Sequence, residues 1–433
     1  MALILENAII LNSSKPYKFQ RANLLILENK IAKISKFKIS YSGAQKIDCK
    51  NKAILPSFIN AHTHAPMSIL RGFGQDLDLF QWLNNYIWPL EKKLTKEDVY
   101  WGTMLSIMQM FYNGISCFNE HYFHIDAILR AVKKSKIRAV LGYSMIDLGD
   151  FKGKGEAEIE QAKKDLELIK NENSSLILPS INPHAPHTCS FELLKQSSEL
   201  ARKQNCILHT HAAETKKEVN LIKRKYKKSP IQVLAKANCL DKNTILAHCI
   251  YCNSKDIDLI KNFDSNVAHC PVANFKLGSG SSFQLKKFLD KNINVAFGTD
   301  GPASNDSLSL LESAKFGAII QKNLFSNPTI CNANQILYML TEGGAKALKL
   351  NSGKIQEGFL ADLVFFDLKS PELVPFVNNA AWIIYAASSF SISDLIINGE
   401  FVMQNKKILT FQPNTVFKKA QRIRNKLNSY LEI

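Results

Sequence analysis

The sequence predicts an α/β protein: a (β/α)8 barrel of the TIM type, joined to a small β-sandwich domain built from both chain ends. Three observations lead to this prediction. The middle of the chain alternates short apolar runs with amphipathic stretches, both ends carry closely spaced strand patterns, and all ten histidines lie at or just past the end of a predicted barrel strand. We assign residues 54–353 to the barrel, and residues 1–53 with 354–433 to the β domain.

Both chain ends show the spacing of short antiparallel strands. In residues 1–53, turn-prone polar residues separate three apolar runs, at Ala8–Leu11, Leu24–Leu27 and Ile31–Ile34. Residues 361–366 and 395–402 repeat the pattern, and a basic helix is expected near Lys418–Leu427. Two strand-rich segments that flank a different middle predict one small domain assembled from both ends.

The middle of the chain offers eight strand candidates. Amphipathic segments lie between them, among them Glu158–Lys170, Phe191–Lys203 and Ser254–Asn262. Eight βα units in about 300 residues fit a (β/α)8 barrel better than a doubly wound sheet. The candidate strands are Ala53–Asn60, Ile115–Glu120, Arg138–Tyr143, Leu176–Asn182, Cys206–His211, Thr244–His248, Asn266–His269 and Val295–Asp300.

Composition excludes several classes of protein. Apolar residues make up 46% of the chain, which is too many for a disordered protein. Nine cysteines in 433 residues are too few for a disulfide-rich secreted scaffold. No apolar run is long enough to cross a bilayer, and the first residues lack the basic start and apolar stretch of a signal peptide. We therefore expect a cytoplasmic protein without a membrane partner.

The formal net charge of +17 is the feature that favours a nucleic-acid partner. Its best local support is the segment 216–228, in which seven residues are basic and one is acidic. As a helix, this segment would turn four apolar side chains inward, which is typical of the solvated face of a barrel helix. These side chains are Val219, Leu221, Ile222 and Tyr226. Because the excess positive charge is spread over both predicted domains, we expect no nucleic-acid partner.

The segment His62-Thr-His64 carries the sharpest chemical signal. On a β-strand, residues i and i+2 point to the same side, so two imidazoles can reach one metal ion. The pair follows the apolar run 54–61, which places it at the barrel mouth, where catalytic residues gather in this fold.

The fifth predicted strand repeats the arrangement in His209-Thr-His211. His211 is the candidate for a third nitrogen ligand, whereas His209 is interpreted as a packed partner. Glu214 lies three residues beyond His211 and could lean over the same cavity. A carboxyl group that is not bound to metal suits general acid–base catalysis there.

Two further strand ends complete the set. His248 ends the sixth strand and Asp300 ends the eighth. A carboxylate among histidines suits Zn²⁺ with one position left for water. Such an ion lowers the pKa of its water to about 7 and makes a hydroxide nucleophile available.

Several stretches match the motifs of one known family. They are Leu55–Met67, Leu70–Gly72, Trp88–Glu91, His211–Thr215, His269–Asn274 with Lys276–Gly278, and Gly298–Gly301. With them the chain resembles the amidohydrolase superfamily and, more narrowly, its 5'-methylthioadenosine/S-adenosylhomocysteine deaminase group, whose nearer relatives include 5'-deoxyadenosine deaminases and triazine chlorohydrolases. The resemblance extends through residues 353–362. It implies a metal-bearing (β/α)8 barrel with a small β domain from both chain ends.

The resemblance also implies a ligand set. His62, His64, His211 and Asp300 would hold one Zn²⁺ per subunit, with Fe²⁺ or Mn²⁺ as alternatives. His248 would hydrogen-bond the metal-bound water rather than ligate the ion. Superfamily members with two metals bridge them with a carbamylated Lys at the end of the fourth strand. Residues 174–187 contain no Lys, so a single-metal site of the deaminase type is expected.

Further roles follow from the same resemblance. Glu214 would carry a proton to the purine ring, and Asp300 would accept one from the attacking water. Glu91 would grip the ribose hydroxyls, His184 would contact the substrate, and Trp82 would pack on it. The expected reaction is hydrolytic deamination at C6 of the adenine ring of a 5'-modified adenosine, which gives the inosine analogue and ammonia.

The 5' substituent stays open between methylthioadenosine, S-adenosylhomocysteine and 5'-deoxyadenosine. In the group that this chain resembles, arginines near the third strand hold the carboxylate of S-adenosylhomocysteine. Here Tyr143 stands where one of them is expected, and the following loop offers Lys152 and Lys154, which cannot pair as arginine does. A guanine, aminofutalosine or triazine hydrolase on the same site is the alternative. We also expect a homo-oligomer, whose size the sequence does not give.

Overall fold

Eight parallel strands form the barrel at the centre of the protein and follow one another in chain order. The computed structural model describes residues 2–149, 152–280 and 283–430. Just past the last strand, the N–H groups of Thr299 and Asp300 both donate to the carbonyl oxygen of His62 in the first strand, which closes the barrel. The strands are Phe58–Thr63, Ile115–Glu120, Arg138–Leu141, Ile177–Pro183, Ile207–Ala212, Thr244–His248, Asn266–His269 and Val295–Phe297. The predicted (β/α)8 fold is confirmed.

The first predicted strand, Ala53–Asn60, is wrong in one respect, because it is two strands. Residues Lys52–Pro56 belong to the terminal sheet, and the barrel strand is Phe58–Thr63. Pro56 has no N–H group to donate, and the N–H of Ser57 donates to Asp362 rather than to a barrel strand. The chain therefore passes from one sheet to the other within a single residue.

Helices alternate with the barrel strands as predicted. Phe191–Lys203 and Ser254–Asn262 have the predicted bounds, and the helix expected at 158–170 spans Gly155–Asn171. The other α-helices are Leu79–Trp82, Trp88–Glu91, Lys96–Tyr112, Ile125–Ser135, Lys216–Tyr226, Pro230–Lys236, Pro271–Lys276, Leu285–Asp290, Leu310–Leu324, Ala333–Leu340, Glu342–Ala347 and Pro413–Asn428. Short 3₁₀ or π turns span Ala65–Leu70, Leu83–Ile87, Pro371–Leu373, Trp382–Ala386 and Ser389–Ser391. Among the described residues, none of the helices has the length and apolar content that crossing a bilayer requires.

The basic segment forms the helix Lys216–Tyr226 and packs through one apolar stripe. Ile222 is buried, and Val219 and Tyr226 pack against the core from the edges of the stripe. The prediction that Leu221 also points inward is wrong, because 43% of this residue is exposed. Residues 219, 222 and 226 are spaced three and four apart and therefore share one face of the helix. Leu221 lies about 100° away from Ile222 around the helix axis, outside that face.

Strands from both chain ends form a second sheet, as the strand patterns at the two ends predict. Its strands are Ala2–Leu11, Phe19–Leu27, Lys30–Ser35, Gln45–Asp48, Lys52–Pro56, Leu363–Asp367, Ile392–Ile397, Glu400–Gln404 and Lys407–Ile408. Hydrogen bonds join these strands into one continuous sheet. The two chain ends meet where Lys52–Pro56 pairs antiparallel with Leu363–Asp367. An apolar cluster that includes Leu5, Ile54 and Phe365 covers one face.

A buried ion pair connects the terminal sheet to the barrel. Arg138, at the start of the third barrel strand, donates from Nε and Nη2 to the two carboxylate oxygens of Asp362, at 3.0 and 3.2 Å. Both side chains are 1% exposed. The carboxylate also accepts the N–H of Asn398, and Arg138 donates to the carbonyl oxygen of Ser175. The ion pair itself therefore lies inside the protein, at the end of the barrel opposite the mouth.

We predict that Arg138→Met lowers the free energy of unfolding by about 3–5 kcal/mol, because it leaves the Asp362 carboxylate buried without its cation. Urea unfolding followed by circular dichroism would measure the loss. Lys136→Met is the matched control, since Lys136 pairs with Glu400 on the surface at about half exposure and should lose less than about 1 kcal/mol. Equal, small losses in both variants would show that the buried pair does not hold the two sheets together.

Candidate active site

Four of the predicted side chains converge at the mouth of the barrel. The Nε2 atoms of His64 and His211 are 3.3 Å apart. Oδ1 of Asp300 lies 3.3 Å from Nε2 of His64 and 3.5 Å from Nε2 of His62. The structure therefore brings together the four residues that the sequence singled out as metal ligands.

The loop after the eighth strand aims Asp300 at the histidines. Its backbone has the left-handed φ of 60°, and its carbonyl oxygen accepts the Thr63 hydroxyl at 3.0 Å. The Ser304 hydroxyl donates to Oδ2 at 2.7 Å. One carboxylate oxygen is thus held by serine, and the other is left facing the imidazoles.

Backbone carbonyl groups fix where two of these histidines carry their protons. Nδ1 of His64 lies 2.5 Å from the carbonyl oxygen of His121, and Nδ1 of His211 lies 2.7 Å from that of His184. A carbonyl oxygen can only accept, so each Nδ1 carries the proton and each neutral ring presents a lone pair at Nε2. In the neutral rings, the lone pairs of the two Nε2 atoms therefore face each other at 3.3 Å.

This arrangement fits a small divalent cation. Two facing lone pairs repel unless a positive charge lies between them. Ligands bound tetrahedrally to zinc at about 2.0–2.1 Å are separated by about 3.3 Å, and the separations here are 3.3 and 3.5 Å. Nε2 of His62 is fully buried and has no hydrogen-bond partner among the described residues. The donor set of three imidazoles and one carboxylate is that of a catalytic zinc site.

His248 lies beside this set with its proton on the opposite nitrogen. The amide Nδ2 of Asn274 is 2.9 Å from Nδ1 of His248, so this nitrogen accepts and the ring proton lies on Nε2. Burial lowers the pKa of His248 to about 3, so the ring is neutral. Although His248 is close enough to Asp300 to join a metal cluster, a protonated Nε2 is a hydrogen-bond donor and not a ligand. It lies 3.8 Å from Oε2 of Glu214.

The backbone that carries Glu214 is held by a second carboxylate. Glu218, buried at the start of the next helix, accepts the N–H groups of Ala213 at 3.0 Å and Glu214 at 2.7 Å. Burial raises the pKa of Glu214 well above its usual range, and the negative charges of Asp300 and Glu218 raise it further. Glu214 therefore favours its protonated form.

The pKa of Asp300 is shifted in the opposite direction to that of Glu214. Burial alone would raise the pKa of Asp300, but the imidazoles of His62 and His64, which face its Oδ1, hold the pKa well below the usual range. The pKa values of the two carboxyl groups are thus shifted in opposite directions, which is the pattern that divides base and acid roles between two like groups.

Three residues predicted to bind substrate lie around the mouth. Burial raises the pKa of Glu91 to about 7, although hydrogen bonding to the Tyr122 hydroxyl lowers it in part. His184 is half-buried and its ring centre is 4.7 Å from that of His211. Trp82 is buried, and its indole N–H donates to the carbonyl oxygen of Phe73 at 3.0 Å. The polar edge of this indole is therefore committed to the protein.

The end of the third strand has no arginine in the place discussed above. The Tyr143 hydroxyl donates to Glu158 at 3.4 Å, and the other carboxylate oxygen of Glu158 accepts the N–H of Ile146. Lys152 and Lys154 are exposed in the following loop. Tyr143 lies beside Tyr122, to which its backbone is bridged, and so belongs to the same rim as Glu91.

Sequence reasoning missed the residues that hold the site in place. Asn274 lies in one of the family motifs, but the motif alone assigns it no role. Nothing in the sequence pattern singles out Ser304 or Glu218, because their partners are distant in the chain or are backbone groups. His121 packs 4.6 Å from His211 between ring centres, and both of its buried nitrogens lack a hydrogen-bond partner among the described residues. His209 was interpreted only as a packed side chain.

The sequence pattern of the amidohydrolase family matches residues 53–402. The chain belongs to the amidohydrolase family. This confirms the resemblance inferred from the motifs, and the match includes every residue of the site described above.

Relatives within this amidohydrolase family are similar along nearly their whole length. The chain is 40% identical over 419 residues to the 5-methylthioadenosine/S-adenosylhomocysteine deaminase of Pyrococcus abyssi, which covers 97% of this chain and 98% of that protein. It is 42% identical over 412 residues to the 5'-deoxyadenosine deaminase of Methanocaldococcus jannaschii, with 95% and 97% covered. In structure it is similar to an adenosine deaminase from Xanthomonas campestris with bound zinc, with a TM-score of 0.91, 27% identity, and 98% and 99% of the chains covered.

Proposed function

We propose that this amidohydrolase removes the C6 amino group of 5'-modified adenosines by hydrolysis and releases ammonia. The observation that carries the proposal is the convergence of the ligand atoms of His62, His64, His211 and Asp300, with the carboxyl group of Glu214 and Nε2 of His248 lying 3.8 Å apart beside them. The relatives named as deaminases of methylthioadenosine, S-adenosylhomocysteine and 5'-deoxyadenosine support the substrate class.

His62, His64, His211 and Asp300 are the residues that would hold one Zn²⁺. When bound, the ion would supply a water molecule acidic enough to be the nucleophile at neutral pH. Zn²⁺ fits this donor set better than Mn²⁺ does, because three of its four ligand atoms are imidazole nitrogens and Mn²⁺ prefers oxygen ligands. The structurally similar adenosine deaminase with bound zinc supports the same choice.

The protein's own groups would move the protons. Glu214 would donate its proton to the ring nitrogen next to C6, which removes the negative charge that develops as oxygen bonds to carbon. Asp300, ionised and held by Ser304, would accept a proton from the attacking water. His248 would orient that water through its Nε2–H, whose position is set by Asn274. One water is consumed and one ammonia is released for each ring.

The rim would hold the rest of the nucleoside. Glu91 would accept hydrogen bonds from the ribose hydroxyls, with the Tyr122 hydroxyl beside its carboxylate. His184 would contact the substrate from the fourth strand, close to His211. Trp82 would contribute the face of its ring, since its N–H is already bonded to the protein.

We predict that protein freed of metal by a chelator takes up one Zn²⁺ per chain, and that His211→Ala weakens this binding by more than about 100-fold. Metal analysis after dialysis and a chelator competition would measure both. His187→Ala removes a neighbouring imidazole that lies 3.9 Å from Glu218 and outside the four-atom cluster, so it should bind zinc like the wild type. Equal affinity in all three proteins would place the metal elsewhere.

Glu214→Gln should retain zinc and lose a factor of about 10²–10⁴ in kcat, because the amide has no acidic proton to give. Ammonia release from methylthioadenosine and 5'-deoxyadenosine would report the loss, with metal content measured on the same sample. Glu199→Gln, on the surface, is the control for loss of a carboxyl group. Wild-type turnover in the Glu214 variant would remove this residue from the mechanism.

Glu91→Ala should lower kcat/KM for adenosine analogues by about 10–100-fold, because a charge-assisted hydrogen bond to ribose is lost. Activity on free bases should be spared, since they carry no ribose. The panel would contain three 5'-modified adenosines, adenine, guanine and aminofutalosine, and Glu97→Ala would serve as an exposed control. If the variant lost activity on free bases as well, a guanine or triazine type of hydrolase would be the better assignment.

A further inference from the structure

His62 is held differently from the other two histidines of the ligand cluster. His64 and His211 each donate from Nδ1 to a backbone carbonyl oxygen. Nδ1 of His62 instead faces Nε2 of His209 at 2.9 Å, and the two rings meet edge to face with their centres 5.0 Å apart. Both side chains are completely buried. The orientation of His62 therefore depends on a side chain that a substitution can remove.

A single hydrogen atom must lie between these two nitrogens. Which of the two rings carries it determines whether His62 can bind a metal ion. If His209 donated it, the neutral ring of His62 would carry its own proton on Nε2, which faces Asp300. A protonated Nε2 has no lone pair for a metal. If His62 donates it, Nε2 is free and His209 accepts.

A metal held at Nε2 of His62 requires the second arrangement, because only then does this nitrogen carry a lone pair. Nε2 of His62 is buried among the ligand atoms of His64 and His211 and makes no hydrogen bond among the described residues. With Nε2 of His209 occupied as an acceptor, its proton must lie on Nδ1, which is likewise buried and has no hydrogen-bond partner among those residues. The described residues therefore hold the ring of His209 by hydrogen bonding through its contact with His62.

We infer that His209 is a positioning residue that keeps the proton of His62 on Nδ1, and that it raises the metal affinity of the site without touching the metal. The two histidines of the fifth strand then have different roles: His211 is a ligand, and His209 orients a ligand of the first strand. The inference rests on the metal site of the proposed function and does not depend on the substrate.

Two substitutions separate hydrogen bonding from packing. His209→Leu keeps an apolar side chain of similar size but cannot accept, so it leaves Nδ1–H of His62 buried without a partner. His209→Gln offers a carbonyl oxygen near the position of Nε2. We expect zinc affinity to fall by about 10–100-fold in the leucine variant and by less than about threefold in the glutamine variant. Chelator competition on metal-free protein would measure affinity, and the visible absorption of the Co²⁺-loaded protein would report ligand geometry.

His269→Leu is the matched control, because His269 is a buried imidazole of the seventh strand that stacks on Phe283 and makes no hydrogen bond to a ligand of the cluster. It should keep wild-type zinc affinity and an unchanged Co²⁺ spectrum. Thermal unfolding of each metal-free protein would establish that the variants fold.

The outcomes are distinct. Wild-type affinity and spectrum in His209→Leu would overturn the inference and leave the deaminase proposal untouched. Equal weakening in the leucine and glutamine variants would also overturn it, since shape rather than hydrogen bonding would then matter, as would equal weakening in the His269 control. If the wild type bound no metal, both the inference and the metal site of the proposed function would fail.

Discussion

The metal site depends on which ring nitrogen carries the hydrogen atom in each of four histidines. Three imidazoles can direct lone pairs at one point only if each is prevented from placing its hydrogen there. The barrel does this with acceptors at the strand ends: the carbonyl oxygens of His121 and His184, and the ring of His209. The fourth proton is that of His248, which Asn274 keeps on the nitrogen facing the cavity. Three rings therefore direct lone pairs at the cluster and one directs an N–H group, although all four are histidines of the same mouth.

The hydrogen bonds that close the barrel involve two residues of the ligand cluster. The N–H groups of Thr299 and Asp300 close the last strand onto the first by donating to the carbonyl oxygen of His62. The residue that closes the barrel is thus itself a proposed ligand, and Asp300, which donates its N–H to that residue, supplies the carboxylate of the cluster. At the other end, the ion pair of Arg138 and Asp362 ties the third strand to the terminal sheet. The terminal domain supplies none of the four convergent ligand atoms; it completes the burial of the barrel's lower end.

The sequence predicted the fold class and the convergence of the candidate ligands because both follow from short-range patterns. Strand ends and i, i+2 histidines can be read locally, and a barrel brings strand ends together whatever the loops do. What it could not predict depends on partners distant in the chain. Ser304 reaches Asp300 only through the loop conformation, and Glu218 acts on backbone groups that any sequence would have. His209 was assigned to packing because its partner, His62, is 147 residues away. The split of Ala53–Asn60 into two strands likewise required knowing that Asp362 accepts the N–H of Ser57.

The net positive charge of the chain and the charges of the site are two separate features of this protein. The net charge of +17 comes from an excess of lysine and arginine over the whole chain, whereas the site is built from imidazoles and from two carboxyl groups whose pKa values are shifted in opposite directions. A divalent ion bound by three neutral rings and Asp300 would leave a net charge of about +1 at the cluster. An uncharged purine nucleoside does not need long-range attraction to reach such a site, because recognition comes from hydrogen bonds at the ring and the ribose. The positive surface is therefore no guide to the substrate. In the proposed mechanism this small excess charge would act later, when negative charge develops on the ring and Glu214 would neutralise it by donating its proton.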